Sequence, residues 1–302
     1  MEVNMSSIFE QIQQTDLDYI IVKTTSYGPF AEDLFFLIKA GEKLWEIPHS
    51  QSEGIMKWFE TIPNLNYLEL IKSMGCVSDH LFVIYRKSGY PALDEETLLV
   101  RLEKFLSRIS TMDPEQINKV KDKLLFFYES FERTYHNLEH IHQCLWELDQ
   151  VNDFSLDKAT VELAIWFHDL VYDPTSKKNE ERSQSLMKQM LSEFVNTDIL
   201  DRASQIILGE TLSLEGLIFH DIDFAILGQS TVDYQIYLQN IMEEFIDVPR
   251  IVFYIRRKKL LKGLLKDKIY LTETFNERYE ESAIANINRE LEKWPYRVLP
   301  AL

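Results

Sequence analysis

The sequence predicts a mainly α-helical fold in which a small α+β domain, residues 1–110, precedes an all-helical domain, residues 111–302. Within the first hundred residues, short runs of β-branched and aromatic residues alternate with Gly, Pro and Ser, as is typical of strands. Beyond Asp113 and Pro114, apolar residues recur at helical spacing. The composition, 45% hydrophobic and 27% charged, is that of an ordinary globular protein.

The N-terminal domain is expected to contain four strands and two helices. The strands are predicted at DYIIVKTT, DLFFLIKAG, KLWEIPH and HLFVIYRKS. The helices are predicted at EGIMKWFETI and NYLELIKSM. A third helical pattern, LDEETLLVRLEKFLSRI, starts at Leu93 and either closes this domain or leads onward. No role is predicted for residues 1–110.

The first helix of the second domain is expected to begin after Asp113, a suitable N-cap, with Pro114 as the first helical residue. Helical apolar spacing then recurs in INKVKDKLLFFYESF, NLEHIHQCLWELDQV, DKATVELAIWFHDLV, NEERSQSLMKQMLSEF, ILDRASQIIL, TVDYQIYLQNIMEEF, PRIVFYIRRKKLLKGLL and ERYEESAIANINRELEKW. No strand pattern interrupts them, so this domain is predicted to be a bundle of helices.

Charge and cysteine content restrict the partners and the compartment. The formal net charge of −17 opposes binding to nucleic acid, which depends on many Lys and Arg contacts. We found neither a signal-peptide pattern nor an apolar window of membrane-spanning length. The two cysteines, Cys76 and Cys144, suit a reducing compartment because they form neither a disulfide framework nor a C-x-x-C spacing. We therefore expect a cytoplasmic protein without membrane or nucleic-acid partners, and leave association into a homo-oligomer open.

The stretch AIWFHDLVYDPTSKKNEERS places an imidazole and a carboxylate inside an apolar helix expected from about Thr160 to Val171. Apolar residues at i, i+3 and i+4 lead to His168 at i+7, so His168 is expected to point inward. Asp169 follows it, and burying its carboxylate would require a neutralising partner such as a divalent cation. Taken alone, a His-Asp pair is more often simply hydrogen-bonded.

Two further apolar segments carry groups of the same kind. RTYHNLEHIH places His136 and His140 at i and i+4 on one helical face. FHDIDFAILG, expected to start a helix, contains Asp221 and Asp223. Three separate apolar segments are thus expected to bring imidazoles or carboxylates into the interior.

In order and spacing, four segments resemble the predicted metal-dependent phosphohydrolases of the histidine-aspartate (HD) superfamily: RTYHNLEHI, AIWFHDLVYDPTSKKNEERS, HDIDFAILG and PRIVFYIRRKKLLKGLL. The resemblance runs from about residue 111 to about residue 295. It implies an all-helical HD-domain bundle, a bound divalent cation and hydrolysis of a phosphate ester. Residues 1–110 lie outside it.

The resemblance also implies a ligand set for that cation. The family pattern H…HD…D falls on His136, His168, Asp169 and Asp223, with Asp221 as the fallback for the last acid. Two imidazoles and two carboxylates suit Mn²⁺, Fe²⁺, Co²⁺, Ni²⁺ or Zn²⁺, and Mg²⁺ when water fills more positions. Such a centre would have room for water and a phosphate oxygen.

Three more residues are candidate catalytic groups. Arg133 could contact a substrate phosphate, or it could be exposed or ion-paired. His140 could bind substrate, donate a proton, bind a second metal or be purely structural. Glu180 could act as a base toward a metal-bound water, although helix capping explains most of the acidity of its segment.

One departure from the family concerns the segment before the last acid. Many relatives have a threonine followed shortly by a histidine, whereas here Thr211 has no such histidine, and His220 abuts the two acids. This disfavours a dinuclear oxygenase and leaves full catalytic competence open. We predict a metal-dependent phosphohydrolase acting on a nucleotide or other small phosphate ester through a metal-activated water. The alternative is a non-catalytic regulatory module that senses a nucleotide or a metal.

Overall fold

The computed structural model describes residues 9, 12, 17–26, 32–41, 43–63, 65–77, 80–87, 90, 91, 93–130 and 132–292. The chain forms two compact units, Met1–Ala92 and Leu93–Leu302. The described residues contain twelve α-helices and one four-stranded sheet. The mainly helical fold class with a small N-terminal sheet is therefore confirmed. None of the helices in the described ranges is both long and apolar enough to cross a membrane.

The described part of the first unit contains four strands and two helices, as predicted, and the strands form one antiparallel sheet. Its strands are β1 (Leu17–Thr24), β2 (Leu34–Ala40), β3 (Lys43–Pro48) and β4 (His80–Arg86), in the order β3-β2-β1-β4. All neighbouring strands are antiparallel. Its helices are α1 (Ile55–Phe59) and α2 (Tyr67–Met74).

The core of the first unit lies on one face of this sheet. Val22 of β1 is paired with Phe36 of β2, and both are fully buried. The Phe36 ring meets the ring of Phe59 from α1 edge to face, with centroids 5.6 Å apart. Apolar residues on this face of the strands thus pack against the short helix.

Helix α3 (Glu95–Ile109) belongs to the second unit. It buries Leu98, Leu102 and other apolar residues of one face. Arg101 on the same helix donates to Glu162 at 2.9 Å and to Asp149 at 2.7 Å. These contacts place the division between the units at residues 92 and 93, earlier than the expected division at 110.

Nine further helices complete the described part of the second unit. They are α4 (Pro114–Tyr128), α5 (Leu138–Gln150), α6 (Lys158–Phe167), α7 (Asn179–Leu191), α8 (Thr197–Ile207), α9 (Leu214–Asp223), α10 (Thr231–Glu244), α11 (Arg250–Leu264) and α12 (Glu273–Glu292). Every segment predicted to be helical in this part of the chain contributes to one of them. Asp113 and Gln116 form the capping box that starts α4.

Two helix boundaries differ from the expectation. From Thr160 onward helix α6 is buried on all sides rather than along one stripe, and it ends at Phe167, with His168 as its C-cap. Asp221 and Asp223 lie in the last turn of α9, not at the start of a helix. A 3₁₀ turn, Phe224–Gly228, follows. Both candidate motifs therefore lie at the C-terminal end of a helix.

Candidate metal centre

Three side chains from distant parts of the second unit meet in a group that could hold a metal ion: His140, His168 and Asp223. Their ligand atoms all lie within 4.8 Å of one another. The two Nε2 atoms are 3.2 Å apart. Oδ1 of Asp223 lies 3.2 Å from Nε2 of His140 and 3.6 Å from Nε2 of His168.

His140 is buried in the first turn of α5. The N-cap, Asn137, accepts hydrogen bonds from the backbone N–H groups of Glu139 and His140 through its side-chain oxygen. This cap fixes the start of α5 and hence the direction of the imidazole. The sequence suggested His140 as a ligand only for a second metal, whereas the structure places it in the three-residue group that could hold a metal ion.

His168 is oriented by the last turn of α6. Its Nδ1 lies 2.9 Å from the backbone oxygen of Ile165. Because a carbonyl oxygen can only accept, Nδ1 is the donor, and in the neutral ring the lone pair is on Nε2. That nitrogen is the one that faces the group. The backbone of α6 thus fixes the ring of His168 with Nε2 directed at the other two residues of the group.

Asp169 lies against the same nitrogens. Its Oδ2 is 3.0 Å from Nε2 of His168 and 3.7 Å from Nε2 of His140. Arg133 donates to the backbone oxygen of Asp169 at 2.7 Å and to that of Leu170 at 2.9 Å. This guanidinium therefore holds the turn that carries Asp169, a role that accounts for Arg133 without a substrate phosphate.

His136, expected as the first metal ligand, lies beside the three-residue group rather than in it. The centroid of its ring is 5.9 Å from that of His140, and it stacks on Tyr172 at 3.8 Å. Its Nδ1 lies 2.5 Å from Oε2 of Glu244. Burial opposes protonation of His136, but the Asp169 charge and the Glu244 hydrogen bond outweigh it, so the pKa of His136 is raised.

Glu244 was not among the candidate site residues predicted from the sequence. It ends α10, and its side chain is only 1% exposed. A possible signal is the pair of acids that closes the apolar pattern of α10, but nothing in that pattern separates Glu244 from Glu243. Only the fold, which joins it to a residue 108 positions earlier, identifies it.

Asp221, the fallback for the last acid, is turned away from the group. Its carboxylate accepts from the backbone N–H groups of Leu271 and Thr272, both at 2.7 Å, and from the Thr272 hydroxyl at 2.6 Å. His220 lies 3.1 Å from the same carboxylate. Asp221 therefore anchors the chain just before α12, and of the two acids only Asp223 faces the imidazoles.

Three other residues considered from the sequence, Glu180, Thr211 and His220, lie outside the group. Glu180 is exposed in the first turn of α7, and within the described residues no hydrogen bond joins it to the imidazoles. The Thr211 hydroxyl accepts from the backbone N–H of Ser213 at 3.1 Å, in the turn before α9. His220 stacks on Phe224. His220 therefore does not take the place of the histidine that many HD-superfamily proteins have shortly after this threonine.

The imidazoles and carboxylates of the group stabilise one another's charged forms. Burial favours neutral forms, but the charge of Asp169 and hydrogen bonds to both carboxylates outweigh it and raise the pKa of His168 well above its usual value. Burial alone would also raise the pKa of Asp223, yet its bonds to His140 and His168 lower it well below the usual range. The same balance, led by the charge of His168 against burial, lowers the pKa of Asp169. Ionised carboxylates thus demand a positive charge, which a proton or a metal ion can supply.

The spacing of the ligand atoms fits a transition-metal ion. Two ligands that are each about 2.1 Å from one ion lie about 3 to 4 Å apart, depending on the angle between them. The three pairs among His140, His168 and Asp223 are separated by 3.2, 3.2 and 3.6 Å. Imidazole and carboxylate donors together suit borderline ions.

Comparisons with known protein families, with curated proteins and with solved structures gave no match to this chain. The interpretation of the site therefore depends on the residues themselves and on their arrangement.

Proposed function

We propose that the chain is a metal-dependent phosphohydrolase of the HD superfamily, and that its helical unit is an HD-type bundle. The proposed substrate is a nucleotide or another small phosphate ester. The observation that carries the proposal is the convergence of His140, His168 and Asp223, with Asp169 beside them. These residues come from three of the four segments on which the sequence resemblance rests.

A divalent cation bound there, Mn²⁺, Fe²⁺, Co²⁺, Ni²⁺, Zn²⁺ or Mg²⁺, would lower the pKa of water and polarise a phosphate ester. The residues of the chain prepare its place. The Ile165 carbonyl leaves the Nε2 lone pair of His168 free for the ion. Arg133 fixes the backbone of the turn that carries Asp169. Asp223 adds a second carboxylate, so the site favours a cation over a neutral ligand.

The remaining parts of the proposal concern location and assembly. We propose a reducing cytoplasm because both cysteines, Cys76 and Cys144, are free thiols. The proposed partner is the small phosphorylated substrate itself. Association into a homo-oligomer is left to measurement of the mass in solution.

The test is phosphate release by the full-length protein with Mn²⁺, Co²⁺ or Ni²⁺ across a panel of nucleotides and other phosphate esters. We expect turnover of at least one of them, and its loss when His168→Ala and Asp169→Ala are combined. His49→Ala, at an exposed histidine of the first unit, serves as the control and should retain activity. Turnover that survives in the double variant would refute the assignment.

A separate outcome would favour the regulatory alternative. If a nucleotide raises the melting temperature of the metal-loaded protein without being hydrolysed, the site binds but does not catalyse. The double variant distinguishes this from binding elsewhere, because binding at the centre should disappear in it.

A further inference from the structure

The side chain of Glu244 is buried and accepts hydrogen bonds from one short segment of the chain. Oε1 accepts from the backbone N–H of His136 at 3.1 Å and from that of Tyr135 at 3.4 Å. Oε2 bonds the Nδ1 of His136. We propose that Glu244 is a positioning residue that keeps the proton of His136 on Nδ1, so that the Nε2 lone pair is available to the cation. This inference rests on the proposed metal centre.

The chemistry of the two groups decides where the ring proton lies. An ionised carboxylate can only accept, so Nδ1 of His136 must donate to Glu244. A neutral imidazole with Nδ1–H has its lone pair on Nε2, the nitrogen that would bind a metal. Hydrogen bonds from a carboxylate to a ligating histidine also raise its basicity.

The surroundings of the ring restrict its rotation. Tyr172 stacks on the His136 ring with centroids 3.8 Å apart, and the Tyr135 ring meets it edge to face at 4.9 Å. With Nδ1 bound to Glu244, the ring is held from three sides. The nearby His140 ring, 5.9 Å away, belongs to the metal group. His136 is therefore fixed at the border of the centre with Nδ1 held on Glu244, and Nε2 is the ring nitrogen left for a cation.

The two backbone hydrogen bonds show why the carboxylate is tolerated in the interior. A buried charge is costly unless several donors compensate it. Glu244 has three such donors, and all come from the two residues just before Asn137, the N-cap of α5. The same side chain thus fixes the ring of His136 and the backbone that leads to His140.

Glu244→Gln provides a sharp test because it keeps the volume of the side chain and replaces the hydrogen-bond acceptor opposite Nδ1 of His136 with a donor. The amide oxygen can keep the two backbone N–H groups that Oε1 now accepts, which places the amide NH₂ opposite Nδ1. Nδ1 must then accept, and the ring proton moves to Nε2, where it blocks a metal. Nuclear magnetic resonance of full-length, ¹⁵N-histidine-labelled, Zn²⁺-loaded protein should show Nδ1–H in the wild type and Nε2–H in the variant.

Calorimetric titration with Zn²⁺ measures the consequence. We expect Glu244→Gln to weaken Zn²⁺ binding by about 10- to 100-fold. The control is Glu147→Gln, which replaces another glutamate that is 1% exposed and is bonded to Arg278 and Tyr279. It should leave Zn²⁺ affinity within about threefold of the wild type, since the contacts that we describe for Glu147 do not reach the metal group.

A double-variant cycle separates positioning from a general structural role. If Glu244 acts through His136, adding Glu244→Gln to His136→Ala should cause no further loss of Zn²⁺ affinity. Losses that add, or an unchanged tautomer in Glu244→Gln, would overturn the inference while leaving the metal centre intact. Failure of the wild type to bind any of the proposed cations would overturn both. Should Glu244→Gln not fold, Glu244→Asp, which keeps the charge and shortens the reach, must show the weaker Zn²⁺ binding instead.

Discussion

The carboxylate of Asp223 lies 3.2 Å from Nε2 of His140, whereas that of Asp221, two residues earlier on the same helix, is bonded to the backbone before α12. The two acids of one short motif therefore have different tasks. Asp223 faces the imidazoles, and Asp221 joins two helices. This division can be tested with two matched substitutions.

We expect Asp223→Asn to weaken cation binding by more than about tenfold, because a carboxylate ligand is replaced by a neutral amide. Asp221→Asn should leave cation affinity nearly unchanged but lower the free energy of unfolding by roughly 1 to 3 kcal/mol, since three donors lose a charged acceptor. Calorimetric titration and urea unfolding measure the two quantities. The opposite pattern would make Asp221 the ligand.

A second prediction concerns Arg133. Its guanidinium donates to the backbone oxygens of Asp169, Leu170 and His136. Arg133→Lys cannot reproduce that planar fork, so we expect the free energy of unfolding to fall by roughly 2 kcal/mol or more. Arg202→Lys, at a partly exposed arginine that pairs with Asp157, should change it by less than about 1 kcal/mol.

Kinetics would reveal the other role considered for Arg133. If Arg133→Lys keeps its stability and instead raises the KM for the phosphate substrate, the side chain contacts the substrate and the structural interpretation is wrong. A loss of stability with an unchanged KM agrees with the backbone contacts.

The sequence alone was enough to locate the helices of the second unit apart from α9, because apolar spacing reports which residues face a core. It placed their ends less well. Helix α6 stops at Phe167 because its cap residue, His168, turns its ring back to the Ile165 carbonyl. Since every residue from Thr160 to Phe167 is buried, this part of α6 has no exposed polar face, and the apolar pattern does not mark where the helix ends.

The same limit applies to the candidate site. His136 and His140 share one helical face in the sequence pattern, so spacing could not tell which of them joins His168. The answer depends on Asn137, which caps α5 between them, and on Glu244, which captures the first ring. The cap depends on the exact residue at which α5 starts, and the Glu244 contact joins residues far apart in the sequence. Neither contact produces a periodic sequence pattern.

A third prediction concerns pH. Because neighbouring carboxylates raise the pKa of His168 well above its usual value, a proton competes with the cation for that ring. The pKa of Asp223 is lowered, so its carboxylate stays ionised through the neutral range and releases no proton there. Cation affinity should therefore rise with pH until the raised imidazole pKa is passed, and binding should release protons.

Calorimetry in buffers of different ionisation enthalpy measures this release. In the metal-free protein the sign is reversed for stability: the raised imidazole pKa stabilises the fold below about pH 6.5, and this contribution is lost as the pH rises through the folded-state pKa. Cation affinity that does not change between pH 6 and pH 9 would contradict the prediction, because it would mean that no proton is displaced.

The last prediction concerns the turn that follows Asp223. A Cβ atom on Gly228 would lie 2.4 Å from Cβ of Tyr279 and 2.9 Å from the hydroxyl of Tyr270. Gly228→Ala should therefore lower the free energy of unfolding by about 1 to 3 kcal/mol, because the backbone must move away. Gly263→Ala is the matched control: its Cβ would meet nothing within 4 Å, and in α11 alanine should stabilise the fold by up to about 1 kcal/mol.

The two glycine variants also test how firmly the turn holds the metal group. Gly228 ends the 3₁₀ turn that begins directly after Asp223. Because packed interiors transmit small shifts, the displacement forced by Gly228→Ala should reach the Asp223 carboxylate and weaken cation binding several-fold. Gly263→Ala should not change it. If Gly228→Ala destabilises the fold but leaves cation affinity intact, the position of Asp223 is set by its bonds to His140 and His168, and not by the turn.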